Sequence, residues 1–225
     1  MPYGNLNAML TDSPSPALII PSRYIASKHS IKIYYRQLRH LIESLINLSP
    51  FTHFTPQSCI AIALPNSIEF VITFFAILGI RGVVHPLNPN SSSIDEIERT
   101  LRLVKAKGVI VSRSEGKAVR EGAKKLNIPV WEIWCEIKRD SLGKEDSIVH
   151  IAPIEGQRLI TLNSVLDMKR DEMTPSPQDD DIALIAIKEM KRKRPKGASN
   201  VTVSSYSLNS IYFSYILIRI HFTFF

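Results

Sequence analysis

The segment "IAIALPNSIEFVITFFAILGIRGVVHPLNP", residues 60–89, has the pattern of a strand, a helix and a second strand in succession. Its first part completes the uncharged run Ser58–Leu64, which has the length and composition of a strand buried on both faces of a sheet. Asn66 is predicted to cap the helix, because Glu69 follows it at the spacing of a capping box. The run Gly82–Pro89 then predicts a short strand that leads into a proline turn.

The predicted helix is apolar on every side. Its apolar residues are Ile68, Phe70, Val71, Ile72, Phe74, Phe75, Ile77 and Leu78. A helix of this kind is buried in a protein core or inserted in a membrane. It is about 14 residues long, whereas a bilayer span needs about 20. We therefore predict a helix buried between sheets.

Strand and helix patterns alternate on both sides of this segment. Upstream, Ala17–Ile20 and Ser30–Tyr35 predict a hairpin, and a helix should follow it because apolar residues recur at helical spacing. Downstream, the predicted segments are a helix at Ser92–Ala106, a strand at Gly108–Ser112, a helix at Glu115–Asn127 and a strand at Ile128–Trp134. The alternation of strand and helix continues through Leu159–Asp167, and a further strand is predicted at Ile182–Ile187. This order predicts an α/β fold with a mostly parallel sheet and helices on both faces.

The net charge of +7 is concentrated in the last part of the chain. Seven of the 28 Lys and Arg residues, but only one of the 21 Asp and Glu residues, follow residue 187. Residues 1–187 are therefore nearly neutral, and we expect no nucleic-acid surface on them. Cys59 and Cys135 are the only cysteines, which favours a reducing compartment. The first residues lack an early basic cluster, so no secretory signal is predicted.

The order of these segments resembles the N-terminal part of AMP-dependent synthetases and ligases, the adenylate-forming superfamily. Residues 33–45, "IYYRQLRHLIESL", are similar to the Thr-Tyr-x-x-Leu segment of that family. Residues 60–89 are similar to its strand, helix and Pro-Leu-Asn-Pro turn. Residues 178–187, "QDDDIALIAI", are similar to the acidic lead-in to its ATP loop. The resemblance covers Ala17–Ile187, and around "PLNP" it is greatest to oxalate-CoA ligases.

The resemblance implies the N-terminal subdomain of an adenylate-forming, acyl-CoA synthetase-like enzyme, truncated relative to the family. Full-length relatives activate a carboxylic acid with ATP and Mg²⁺ to an acyl-adenylate and transfer it to CoA. The implied partners are thus a carboxylic acid, ATP and CoA, and the implied location is cytoplasmic or peroxisomal. We expect residues 1–187 to form a partial ligase domain and residues 188–225 to form a separate basic and hydrophobic tail.

The ATP loop implied by the resemblance is incomplete. In the family this loop reads Thr-Ser-Gly-Thr-Thr-Gly-x-Pro-Lys-Gly, and here only Arg194, Pro195, Lys196 and Gly197 match its end. The places before them, residues 188–193, read "KEMKRK" and hold neither a glycine nor a hydroxyl. Glycine lets backbone N–H groups approach phosphate closely, and lysines do not reproduce that geometry. We therefore expect the chain as written to bind no cofactor and to be inactive, which leaves its status as an enzyme open.

The tail allows three interpretations. Residues 188–225 could result from an error in the gene model, could contain a membrane tail formed by Leu208–Phe225, or could contain a nuclear-import-like patch formed by "KRKRPK". Arg219 and His221 inside the hydrophobic run disfavour the membrane alternative. A non-catalytic fragment that is tethered to a membrane or binds a partner is the alternative to an inactive ligase fragment. In either case, we predict that the strand Ile182–Ile187 is unpaired on one side.

Other polar residues give weaker signals. His85 lies at a predicted strand end, where ligands often bind, but packing in the turn explains it better. Ser112 and Ser114 lie in a βα loop without a nucleophile motif. Asp179–Asp181 fit a solvated linker better than a metal site. Trp131 and Trp134 should face opposite sides of their strand, because they are three residues apart.

Overall fold

The structure is a computed structural model that describes part of the chain. The described residues are 13–20, 30–48, 50–91, 93–139, 145–153, 160–163, 182–190 and 200–207. For residue 137 and beyond, the description covers the backbone of the strands.

From β2 to β6, strands and helices alternate in the predicted order. The strands are β1 (Pro16–Ile20), β2 (Ile31–Tyr34), β3 (Cys59–Ala63), β4 (Val83–Pro86), β5 (Gly108–Ser112), β6 (Val130–Arg139), β7 (Glu145–Pro153), β8 (Ile160–Asn163), β9 (Ile182–Met190) and β10 (Asn200–Ser207). The helices are α1 (Tyr35–Ile46), α2 (Ile68–Gly79), α3 (Ile94–Leu103) and α4 (Lys117–Lys125). A short 3-10 helix occupies Phe51–His53.

The main sheet has a parallel centre and antiparallel flanks. Its strand order is β10-β9-β4-β3-β5-β6-β7-β8. Strands β9, β4, β3, β5 and β6 run parallel to their neighbours within this group. Strands β10, β7 and β8 add antiparallel pairings at the two sides, and β1 and β2 form a separate hairpin. The predicted α/β fold class is confirmed.

Two hydrophobic cores lie on opposite faces of the sheet, because successive side chains of a strand point to opposite faces. In β3, Ile60 and Ile62 pack in the core that contains α1 and α2. Ala61 and Ala63 pack in the core that contains α3 and α4. All of β3 is buried, as the uncharged run predicted. The apolar helix α2 is likewise buried over most of its length, which confirms its prediction as a core helix.

The cap of α2 differs from the prediction. Ser67, not Asn66, is the N-cap, and its hydroxyl accepts the backbone N–H of Phe70 at 3.4 Å. A serine hydroxyl reaches the orphan N–H three residues ahead, so the helix begins one residue later than the capping-box spacing indicated. Helix α3 also has a serine cap, because Ser93 Oγ accepts the N–H of Glu96 at 3.2 Å.

Strand β9 is longer and better paired than the sequence indicated. The prediction that Ile182–Ile187 is unpaired on one side was wrong, because β9 pairs with β4 on one side and with β10 on the other. The strand also continues to Met190. Neither β7 nor β10 was predicted from the sequence. The division of the chain at residue 187 stays a prediction.

The hydrophobic run Leu208–Phe225 lies outside the described residues. Within the part of the chain that the structure describes, no helix has the length and apolar character needed to cross a bilayer.

Candidate functional site

The carboxyl ends of the parallel strands meet at one edge of the sheet, where ligands bind in many α/β proteins. The register places Ile62 of β3 opposite Pro86 of β4, and Ala63 of β3 opposite Val111 of β5. On the other side of β4, Val84 is opposite Leu184 of β9. This carboxyl edge is where the resemblance locates the ATP loop, directly after Ile187 of β9.

Strand β9 extends beyond this edge. Strand β4 ends at Pro86, two residues after Val84, whereas β9 continues from Leu184 to Met190. The extension is paired with β10, and Lys188, Glu189 and Met190 lie opposite Thr202, Val201 and Asn200. The first three of the six positions that replace the glycine-hydroxyl segment are therefore part of a two-stranded ladder.

The predicted remnant, Arg194, Pro195, Lys196 and Gly197, lies outside the described residues. Its assignment as a phosphate-binding remnant stays a prediction. Asp179–Asp181 also lie outside them. In the described part of the chain, His, Cys, Asp and Glu side chains do not gather in threes at a spacing that suits a metal ion.

An arginine holds together the loop that follows β5 at the carboxyl edge. The guanidinium of Arg120, on α4, donates to the carbonyl oxygens of Ser112 at 2.5 Å and Glu115 at 2.6 Å. It also forms an ion pair with Glu132 of β6, with 2.9 Å between Nη2 and Oε1. A planar guanidinium has several fixed donors, so one side chain can join a loop, a helix and a strand. The loop is therefore anchored at this edge.

The serines of this loop bond locally. The hydroxyls of Ser112 and Ser114 are 3.2 Å apart, and Ser112 Oγ also accepts the N–H of Ser114. This is a turn-stabilising pattern, in keeping with the absence of a nucleophile motif in the sequence. His85 is buried within β4 opposite Ala61, which agrees with the packing role preferred for it.

A second polar contact joins α2 to β6. The Glu69 carboxylate accepts the backbone N–H of Cys135 at 2.8 Å. Burial raises the pKa of the Cys135 thiol well above its usual value, and the negative charge of Glu69 raises it further. Burial also raises the pKa of the Cys59 thiol to about 12. Both thiols are thus protonated at neutral pH and are poor nucleophiles.

The two tryptophans lie on opposite faces of β6, as predicted. Trp131 packs against Phe54 on the α1–α2 side, with ring centroids 5.6 Å apart. Trp134 lies beneath the guanidinium of Arg113, which is 4.8 Å from the ring centroid. Sequence reasoning missed the roles of Arg120 and Glu69. The partners of Arg120 lie in other elements, and the partner of Glu69 is 66 positions away.

Comparisons with known proteins agree with this architecture. Residues 17–186 match the family model described as AMP-binding enzyme. A probable CoA ligase, CCL9 of Humulus lupulus, is 24% identical over 194 residues, which are 84% of this chain and 34% of that protein. The solved acyl-CoA synthetase of Brucella canis superposes with a TM-score of 0.59 at 13% identity, over 94% of this chain and 35% of the other.

A further solved relative is the apo MatB of Rhodopseudomonas palustris, with a TM-score of 0.55 and 17% identity over 91% of this chain and 35% of that one. These likenesses define an adenylate-forming fold. The chain belongs to the AMP-binding enzyme family and is similar to acyl-CoA synthetases. It spans about a third of the length of the relatives that it matches.

Proposed function

We propose that this chain is an acyl-CoA synthetase-like protein of the adenylate-forming family that does not itself bind ATP productively or form acyl-adenylates. The family membership gives the ancestral chemistry, which is activation of a carboxylic acid by ATP and transfer to CoA. The inactivity is inferred from the residues that occupy the place of the ATP loop.

The course of β9 is the observation that carries this proposal. Lys188, Glu189 and Met190 stand where the family pattern has Thr-Ser-Gly, and their backbone pairs with β10. A phosphate-binding loop instead presents its N–H groups to the ligand from a turn. A paired strand presents its polar backbone to the neighbouring strand.

The side chains at these positions also disfavour productive binding of ATP. Residues 188–193 contain four basic side chains but no short hydroxyl that could contact a phosphate or a bound Mg²⁺. Lysine and arginine attract phosphate by charge, but they lack the close backbone approach that glycine allows. The residues present therefore do not fit Mg-ATP.

Calorimetric titration with Mg-ATP tests the proposal on three purified proteins. The first is the chain as written. The second carries the family loop through Lys188→Thr, Glu189→Ser, Met190→Gly, Lys191→Thr, Arg192→Thr and Lys193→Gly. The third carries alanine at the same six positions, which removes the charge without creating a glycine loop.

We expect saturable ATP binding only by the protein with the restored loop. The alanine protein separates the effect of loop geometry from that of lost positive charge. Saturable Mg-ATP binding by the chain as written, at an affinity equal to that of the restored protein, would contradict the proposal. Binding by the alanine protein alone would show that the basic charge, and not the missing loop, is the obstacle.

A further inference from the structure

A cavity lies at the amino ends of the parallel strands, opposite the carboxyl edge. Its volume is about 350 Å³, which is at the small end of the range for ligand sites. It is lined by residues that precede β3, β5 and β6, among them Ser58, Lys107 and Pro129, and by the segment around the 3-10 helix. We refer to it as the amino-end cavity.

Aromatic rings form one wall of the amino-end cavity. Phe54 and Trp131 meet edge to face, with centroids 5.6 Å apart and ring planes at 81°. Both rings lie over Gly108, since a Cβ built there would be 2.7 Å from Phe54 and 2.7 Å from Trp131. The absence of a side chain at Gly108 therefore allows the two rings to lie there. Pro50 contributes a further apolar surface.

The backbone that carries the lining is held by hydrogen bonds. The N–H of Lys107 donates to the carbonyl of Cys59 at 2.8 Å, and the carbonyl of Pro129 accepts the N–H of Val109 at 3.0 Å. The N–H of His53 donates to the carbonyl of Pro50 at 3.0 Å. A site held in this way loses little conformational freedom when a small ligand binds.

The polar groups of the amino-end cavity favour an anion. Lys107 supplies a cation, and His53 and Thr55 supply further polar atoms. No carboxylate is present among the described residues that line the cavity. The hydroxyls of Thr55 and Ser58 are 3.0 Å apart, so one donates to the other and the acceptor retains a hydrogen for a ligand.

We propose that the amino-end cavity binds a small planar aromatic anion, with its ring against Phe54 and Trp131 and its charge towards Lys107. The proposal does not depend on the ATP loop, which the resemblance locates at the other end of the strands. Aromatic rings favour offset or edge-to-face contacts with a ligand ring, and one exposed cation adds a modest electrostatic preference.

The test uses the indole N–H signals of the purified chain in ¹H–¹⁵N spectra. Trp131 and Trp134 are the only tryptophans, and Trp134 lies on the opposite face of β6. We expect benzoate to shift the Trp131 signal in a saturable way and to leave the Trp134 signal in place. Benzamide, which has the same shape without the charge, should bind about three- to fivefold more weakly, as a single exposed ion pair allows.

Two matched variants identify the cation. Lys107→Gln should reduce the affinity for benzoate to that for benzamide, whereas Lys124→Gln, at an exposed lysine on α4, should not change it. The proposal is overturned if benzoate leaves the Trp131 signal unmoved, if benzamide binds as well as benzoate, or if the two lysine variants behave alike. Gly108→Ala should also weaken binding by displacing both rings, and the lysine pair decides the question if that variant fails to fold.

Discussion

The Glu69 carboxylate at the start of α2 accepts the backbone N–H of Cys135 in β6, with 2.8 Å between the oxygen and the nitrogen. The two residues are 66 positions apart in the sequence, and the contact ties a core helix to a strand of the sheet. A charged acceptor on a partly buried N–H makes a stronger bond than a neutral one.

Glu69→Ala should destabilise the fold, because it leaves the N–H of Cys135 without its acceptor. We expect the free energy of unfolding to fall by about 1–3 kcal/mol. Glu69→Gln keeps an oxygen acceptor and should cost less. Urea unfolding measures both variants, and Glu121→Ala, at an exposed position of α4, is the control. Equal stability of the Ala and Gln variants would show that the hydrogen bond contributes little.

The buried thiol of Cys59 predicts a loss of stability at alkaline pH. Its pKa is raised to about 12 in the folded protein, whereas an unfolded thiol ionises near pH 8.5. Between these values the folded state keeps a proton that the unfolded chain has lost. The contribution of this thiol to stability is therefore complete below about pH 8.5 and decreases by about 1.4 kcal/mol per pH unit as the pH rises towards 12.

The matched comparison is between the chain as written and Cys59→Ala, each unfolded in urea at pH 8, 9 and 10. The difference in stability between them should shrink from pH 9 to pH 10 by about 1.2 kcal/mol, because the unfolded thiol is not yet fully ionised at pH 9. Other groups titrate in both proteins, so their effects cancel in the difference. A difference that stays constant over this range would mean that the folded thiol ionises like an unfolded one.

Arg120 should contribute more to stability than an ordinary surface arginine. It is about three-quarters buried, and it bonds the carbonyl oxygen of Ser112 at the end of β5, the carbonyl oxygen of Glu115 in the following loop and the carboxylate of Glu132. We expect Arg120→Ala to lower the free energy of unfolding by about 1–3 kcal/mol, and Arg120→Lys to recover only part of this because an ammonium cannot make the same set of bonds.

Arg102 provides the control for Arg120. It forms an ion pair with Glu98 one helical turn away at 2.9 Å, but 64% of its side chain is exposed. Arg102→Ala should therefore change stability by about 0.5 kcal/mol or less. A cost at Arg102 equal to that at Arg120 would show that the loop contacts of Arg120 are not the source of its effect.

The observed cap of α2 gives a direct test of the helix boundary. Ser67→Ala removes the hydroxyl that accepts the N–H of Phe70 and should cost about 1 kcal/mol. Asn66→Ala should cost about 0.5 kcal/mol or less, as is usual for an exposed position without such a contact. Thermal or urea unfolding of the two variants ranks them. The reverse order would restore Asn66 as the cap.

Local patterns in the sequence predicted the centre of the sheet well. Strand β3 is an uncharged run, and α2 is apolar on all sides, so the composition of each segment is enough to predict that it is buried. The sequence does not decide between Asn66 and Ser67 as the cap, because both residue types cap helices well and the two residues are neighbours.

The flanking strands carry weaker signals. Strand β7 opens with Glu145 and Asp146, and its pairing with β6 depends on contacts that no local pattern reports. Strand β10 does alternate Val201 and Val203 with polar residues, which is a strand pattern. It was missed because the resemblance to the family ends before it. That omission led to the wrong expectation of an unpaired edge at β9.

The candidate site was predictable only where it is contiguous in the sequence. The departure from the ATP-loop pattern at residues 188–193 is visible in the sequence itself. The network of Arg120 joins α4 to the loop after β5 and to Glu132, and the amino-end cavity combines residues from separate loops. Such groupings depend on tertiary packing, and no spacing rule reveals them.

The most direct test of the central claim is ATP-dependent pyrophosphate exchange by the purified 225-residue chain, measured with a panel of carboxylic acids and Mg²⁺. This exchange reports the formation of an acyl-adenylate. We predict no exchange above the background without acid, because β9 continues as a paired strand where the phosphate loop of the family begins. Exchange that depends on both ATP and one of the acids would contradict the account.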